Sequence, residues 1–190
     1  LLDITMPGLS GIDAIPHLRR VHPRVRILML THHEGETFVD QALKAGADGY
    51  LSKDSDPEEL VHRAAKLGYA ALALTDECSV SGAVRAHLAA KEAGLRLLIG
   101  TELRLACGLG LVLLAQSLAG YESLCALVTR ARRAAPKGEY RLAREDFPAA
   151  TEGLLALWLP AGEGQPEEGA WVRGRFPGRA WIAVELHKGP

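Results

Sequence analysis

Three polar side chains, Asp3, Thr31 and Lys53, recur at the ends of short apolar runs. The runs are Leu1-Leu2-Asp3-Ile4, Arg26-Ile27-Leu28-Met29-Leu30-Thr31 and Gly49-Tyr50-Leu51-Ser52-Lys53, each the pattern of a buried parallel strand. Open α/β sheets build their sites at the C-terminal edge of such strands. An aspartate there can accept a phosphoryl group on its carboxylate. A neighbouring hydroxyl and ammonium can bind the phosphoryl oxygens. A second set is mainly acidic: Asp76 and Glu77 follow another strand, Glu102 ends or interrupts the next, and Glu185 and His187 lie on or after the last. Carboxylates and an imidazole gathered on one edge can hold Zn²⁺ or Mn²⁺. On spacing alone, helix caps or solvated charges account for the same acids.

The elements that must position these groups alternate. Met6-Pro7-Gly8 is a turn, and Gly11 to Val21 carries Ile12, Ile15 and Leu18 at helical spacing. Pro16 lies inside that helix and is expected to bend or interrupt it. Glu36 to Ala45 is a second helix. Asp56-Pro57-Glu58-Glu59 is a helix start, with an acidic cap, Pro at the first position and acids in the first turn; that helix ends at Gly68. Strands are expected over 70–75, 95–105, 109–115, 154–159 and 180–186, and helices over 80–93, 121–133 and 166–176. Leu124, Leu127, Val128 and Ala131 form one face of the helix at 121–133. The alternation predicts an α/β fold: a parallel or mixed sheet with flanking helices, running through the whole chain.

Composition bounds the function. The chain has 190 residues, 48% hydrophobic and 24% charged, and a formal net charge of −1. That is the composition of a packed globular chain, and its charge does not draw it to nucleic acid or an anionic membrane as a whole. Three cysteines, Cys78, Cys107 and Cys125, have no paired spacing and read as free thiols of a cytoplasmic protein. No apolar run is long enough for a membrane helix, and no membrane partner is expected. The chain opens at Leu1 without Met and closes at Gly189-Pro190, which reads as a fragment. The run 130–144 holds six basic residues and one acid. It reads as a solvated helix end and loop, with contact to DNA as the alternative. Trp158, Trp171 and Trp181 are expected in a core or at an interface.

Residues 1–60 resemble the second half of a response-regulator receiver domain. The likeness rests on Leu-Leu-Asp-Ile-Thr-Met-Pro-Gly at the start, Ile-Leu-Met-Leu-Thr at 27–31, and Ala-Leu-Lys-Ala-Gly-Ala-Asp-Gly-Tyr-Leu-Ser-Lys-Asp at 42–54. It implies a flavodoxin-like unit with Asp3 as phospho-acceptor, Thr31 as switch hydroxyl, Lys53 as phosphate-binding lysine and a Mg²⁺ ion reached by the Thr5 carbonyl. It also implies a histidine kinase as partner. The family's first two strands and its Mg²⁺-holding acidic pair are not in the sequence.

From about Pro57 onward the chain is similar to the polymerase-and-histidinol-phosphatase (PHP) domain of error-prone DNA polymerases of the DNA polymerase III alpha type. The similarity rests on 67–79, Ala89-Ala90-Lys91-Glu92-Ala93-Gly94-Leu95, Ile99-Gly100-Thr101-Glu102, 134–140 and 176–181. It implies a TIM-barrel-like unit, a parent DNA-directed DNA polymerase, and DNA with replication or repair proteins as partners. It also implies Zn²⁺ or Mn²⁺ at Asp76, Glu77, Glu102, Glu185 and His187. Glu77 and Gln116 stand where relatives carry ligand histidines, and the opening His-x-His is missing. The expected domains are a partial receiver at 1–56 and a partial PHP domain at 57–190. The switch falls inside one shared helix with no linker. Both metal sites are expected to be incomplete, and no activity is expected of this chain by itself. A single rearranged sheet bringing Asp76 and Glu77 near Asp3 is a further arrangement.

Overall fold

The computed structural model describes residues 2–3, 10–25, 27–31, 36–52, 56–148, 151–161 and 165–183. Among these, contacts divide the chain into two units. One comprises 2–72 with Val84–Arg96, and the other Ala73–Ala83 with 97–183.

The first unit carries a three-stranded parallel sheet of β1 (Leu2–Asp3), β2 (Leu28–Thr31) and β3 (Gly49–Ser52). In its register Asp3 lies opposite Leu30, and Thr31 opposite Ser52. Helices α1 (Gly11–Val21) and α2 (Glu36–Ala45) make the crossovers that parallel strands require. Ser10 caps α1 by accepting the Ile12 amide at 3.3 Å. Pro16 does not interrupt α1, which runs on through it to Val21. Pro16 is exposed, so its ring meets solvent, and the helix forfeits one bond to the Ile12 carbonyl. Burial of Ile15 against Ile27, Met29 and Ala42 holds the helix in place. Arg19 ties the end of α1 to the turn before β3, donating to the Gly46 carbonyl at 2.7 Å and to the Asp48 carboxylate. Asp48 also accepts the Ile27 amide at 2.8 Å.

Helix α3 (Pro57–Lys66) begins as expected with Pro at its first turn. The Asp56 side chain makes no cap bond and instead meets Arg85 at 2.8 Å, where Glu58 joins it at 3.3 Å. Gly68, at φ +75°, turns the chain so that the Tyr69 amide reaches back to the Ala64 carbonyl at 3.1 Å. Arg85 stands on α4 (Ala83–Ala93), whose apolar stripe includes Ala86, Ala89 and Ala90.

A five-stranded sheet follows the order β4 (Ala71–Leu74), β5 (Arg96–Arg104), β6 (Gly110–Ala115), β7 (Leu154–Leu159) and β8 (Ala180–Ile182). Among the described residues the strands form two sheets and not the continuous one expected. This second sheet is mixed: β6 is antiparallel to β5 and β7, and β8 is parallel to β7. Between β5 and β6 the Leu105 amide bonds to the Leu109 carbonyl at 2.9 Å, and Gly108 takes φ +91°. So tight a turn leaves no room for a crossover helix, and the strands must be antiparallel. Helices α5 (Leu118–Arg133) and α6 (Pro166–Arg175) complete this unit.

Its core joins Leu103, Leu111 and Leu113 of β5 and β6 to Leu124, Leu127 and Ala131 of α5. Leu154, Ala156 and Trp158 of β7 and Phe176 after α6 close it. Trp171 packs edge-on against Phe147, with centroids 5.3 Å apart. Trp181, by contrast, is 51% exposed on β8, at the edge of the sheet.

Candidate functional site

The acids of the second set are gathered by backbone pairing. Glu77 and Glu102 form an isolated parallel bridge. The Glu102 amide donates to the Asp76 carbonyl at 3.2 Å, and the Cys78 amide to the Glu102 carbonyl at 2.8 Å. Thr101 fixes the same turn from beneath, fully buried. Its hydroxyl donates to the Asp76 carbonyl at 2.7 Å and accepts the Ser79 amide at 3.0 Å. Burying that hydroxyl is tolerable because both its donor and an acceptor site are used. Cys78 closes the turn at φ +44°, a left-handed conformation uncommon outside glycine. Its thiol is buried, which pushes its pKa up, and nearby Arg132 works the other way.

Glu77 points its carboxylate at Tyr140. The phenol donates to Glu77 Oε1 at 2.8 Å and accepts the Arg104 amide at 2.9 Å. Arg132 of α5 lies 5.4 Å from the Tyr140 ring centroid. It donates to the carbonyls of Cys78 at 3.0 Å, Glu77 at 3.1 Å, Gly138 at 3.2 Å and Glu139 at 3.3 Å. Other members of the basic run are engaged too. Arg130 donates to the Asp146 carbonyl, and Arg144 lies 5.5 Å from the Trp171 centroid. Arg130, Arg133, Lys137 and Arg141 are exposed, as a solvated segment requires, while Arg132 and Arg144 are half-buried against carbonyl and ring partners. Planar guanidiniums suit carbonyl and ring partners that a composition count does not foresee.

The Tyr140 phenol is pushed up from 10.0 to about 12. Burial is the main cause; the Arg104 amide lowers it and the Glu77 carboxylate raises it. An unfolded phenol loses its proton near 10.0 and the folded one near 12. Its contribution to stability is therefore complete below the lower value and is lost as pH rises toward the upper one. Across that window, thermal melts of the wild type should fall more steeply with pH than those of Tyr140→Phe. Parallel curves would contradict the assignment.

The structure thus brings Asp76, Glu77 and Glu102 to one edge. Gln116 follows β6, exposed, its amide bound to the Gly153 carbonyl at 2.8 Å. Asp3 and Thr31 are the last residues of adjacent parallel strands. Lys53, Glu185 and His187 lie outside the described residues. Among the described residues no three His, Cys, Asp or Glu form a group able to hold a metal ion. Asp76, Glu77 and Glu102 do not by themselves form such a group, and Tyr140 donates to one carboxylate oxygen of Glu77. Tyr140, Arg132 and Thr101 were missed as members of this edge. Tyr140 lies 63 residues from Glu77, and no local pattern announces such a pairing.

The family model for the PHP domain matches residues 50–181. The chain belongs to the PHP family. The model for the response regulator receiver domain matches residues 1–65, so the two matches share 50–65, which hold most of β3 and α3. The PHP chain is 56% identical over 135 residues to an error-prone DNA polymerase of Pseudomonas aeruginosa, covering 71% of this chain and 13% of that protein. It is 52% identical over 146 residues to the error-prone DNA polymerase of Dechloromonas aromatica, covering 74% and 14%. The chain therefore spans about 13% of the length of the curated relatives it matches. Among solved structures, a protein of Bifidobacterium adolescentis assigned as a metal-dependent phosphoesterase is similar at TM-score 0.54 and 16% identity. That likeness covers 72% of this chain and 74% of the other, and shows a shared fold alone.

Proposed function

We propose that the chain is an accessory PHP module of the error-prone DNA polymerase kind, without polymerase activity of its own, fused to a truncated receiver. Its role is structural, with weak divalent-cation binding at Asp76 and Glu102 as the most it offers. The observation carrying this reading is the 56% identity over 135 residues to an error-prone polymerase of which they form 13%. Nucleotide transfer needs carboxylates arranged to hold metal ions against the triphosphate. No group of three such ligands occurs among the described residues. The partners this reading implies are DNA and replication or repair proteins. No helix among the described residues is long and apolar enough to cross a membrane.

A primer-extension assay with the four deoxynucleotides and Mg²⁺ or Mn²⁺ tests the first clause. No extended product is expected, and extension would overturn it. Metal analysis of the purified chain tests the second. Stoichiometric Zn²⁺ or Mn²⁺, lost in Asp76→Ala or Glu102→Ala, would replace the structural role with a working metal centre.

A second reading has its own support. The register puts Asp3 and Thr31 at the C-terminal ends of neighbouring parallel strands, and Lys53 follows the last residue of β3 in sequence. Under this reading a histidine kinase phosphorylates Asp3 with Mg²⁺. Base-labile labelling by a small phosphodonor, abolished in Asp3→Asn, would favour it.

A further inference from the structure

We infer that Tyr140, through the Glu77 carboxylate, and Arg132, through the Glu77 and Cys78 carbonyls, form a latch that holds the 76–79 turn on the sheet without help from a metal ion. This rests on the accessory-module reading above and says how its acidic edge is kept in shape.

Tyr140 and Arg132 find their partners inside the protein. The Tyr140 hydroxyl has one proton to give, and Glu77 takes it at 2.8 Å. Its oxygen is in turn filled by the Arg104 amide at 2.9 Å. Arg132 grips both sides of the latch, the carbonyls of Glu77 and Cys78 on one side and those of Gly138 and Glu139 on the other. Its plane also lies near the Tyr140 ring, at 5.4 Å from the centroid. The circuit thus joins β5, the 76–79 turn and the loop after α5 through two side chains.

Tyr140 donates to Glu77 Oε1, so a cation bound through that oxygen would compete with the latch for its lone pairs. The left-handed Cys78 backbone adds a reason for a clamp, since a non-glycine residue at φ +44° persists only where its surroundings over-determine it. The two Arg132 bonds beside it supply that constraint.

The test uses three single variants of the full chain, with amide exchange and Mn²⁺ titration as readouts. Tyr140→Phe keeps the ring and removes the hydroxyl. Glu77→Ala removes the acceptor. Glu77→Gln keeps an oxygen that can accept from Tyr140 but is a poor metal ligand. Tyr140→Phe and Glu77→Ala should exchange the Arg104 amide and the 76–79 amides about tenfold faster, the equivalent of one lost hydrogen bond. Glu77→Gln should match the wild type, and so should the wild type after chelation with EDTA. Mn²⁺ affinity, whatever its wild-type value, should be unchanged in Glu77→Gln. The latch is overturned if EDTA loosens the turn in the wild type. It is equally overturned if Glu77→Gln weakens Mn²⁺ binding by about tenfold or more, or if Tyr140→Phe leaves exchange unchanged. Primer extension, scored separately, tells a failure of the latch from a failure of the accessory-module reading.

Discussion

Gly120→Ala should destabilise the second unit by about 3 kcal/mol, although alanine is the better helix former. Gly120 is buried in the first turn of α5, where Ser117 caps the helix by accepting its amide at 3.1 Å. A methyl group there would stand 1.9 Å from the Gly153 carbonyl oxygen and 2.6 Å from its carbon. The obstacle is backbone, and it is pinned: the Gly153 carbonyl accepts the Gln116 amide at 2.8 Å, and Gly153 itself takes φ +77°. The helix start and the turn before β7 would have to part. Urea denaturation followed by circular dichroism should show the lowered midpoint. A variant as stable as the wild type would mean that the helix start and this turn are not held together.

The second large effect is expected at Phe176. Its ring is fully buried after α6 and meets Phe147 edge-on, with centroids 6.3 Å apart. It is packed in the same core cluster as Leu154, Val172 and Trp158. Phe176→Ala should cost about 3–5 kcal/mol, because the emptied space is walled by rigid sheet and helix and cannot collapse. Phe176→Leu should recover more than half of that loss. Calorimetric melting of the three proteins gives the ranking. Equal losses in both variants would point to the helix end, where the Phe176 amide bonds to the Val172 carbonyl at 2.9 Å, and not to ring volume.

Much of this architecture was legible because its signals are local. The apolar run at 154–159 became β7 with every second residue buried, and Pro166 opened α6 where a first-turn proline belongs. The Leu124, Leu127 and Ala131 stripe faced the core as its spacing required. Helix α5 nevertheless begins at Leu118, earlier than its apolar spacing indicated, because Ser117 supplies a cap that periodicity does not weigh. The mixed sheet allowed for by the alternation is realised at β5–β6, an antiparallel pair whose tight turn at Cys107-Gly108 the sequence reading did not single out. At the site, Asp76, Glu77 and Glu102 were found from residue type and position. What the sequence hid was valence. Nothing near Glu77 says that a tyrosine far along the chain already uses its carboxylate. Nor does a cluster of arginines say that one of them spends its donors on four carbonyls.

The division of the chain does not follow the two family matches. Among the described residues the backbone passes from one unit to the other after Leu72, after Ala83 and after Arg96. The first unit therefore draws β1–β3 from the stretch matched by the receiver family, and residues 84–96 from a stretch matched only by the PHP family. Folding of the first unit therefore has to wait for residues 84–96, which lie beyond the stretch that the receiver model matches.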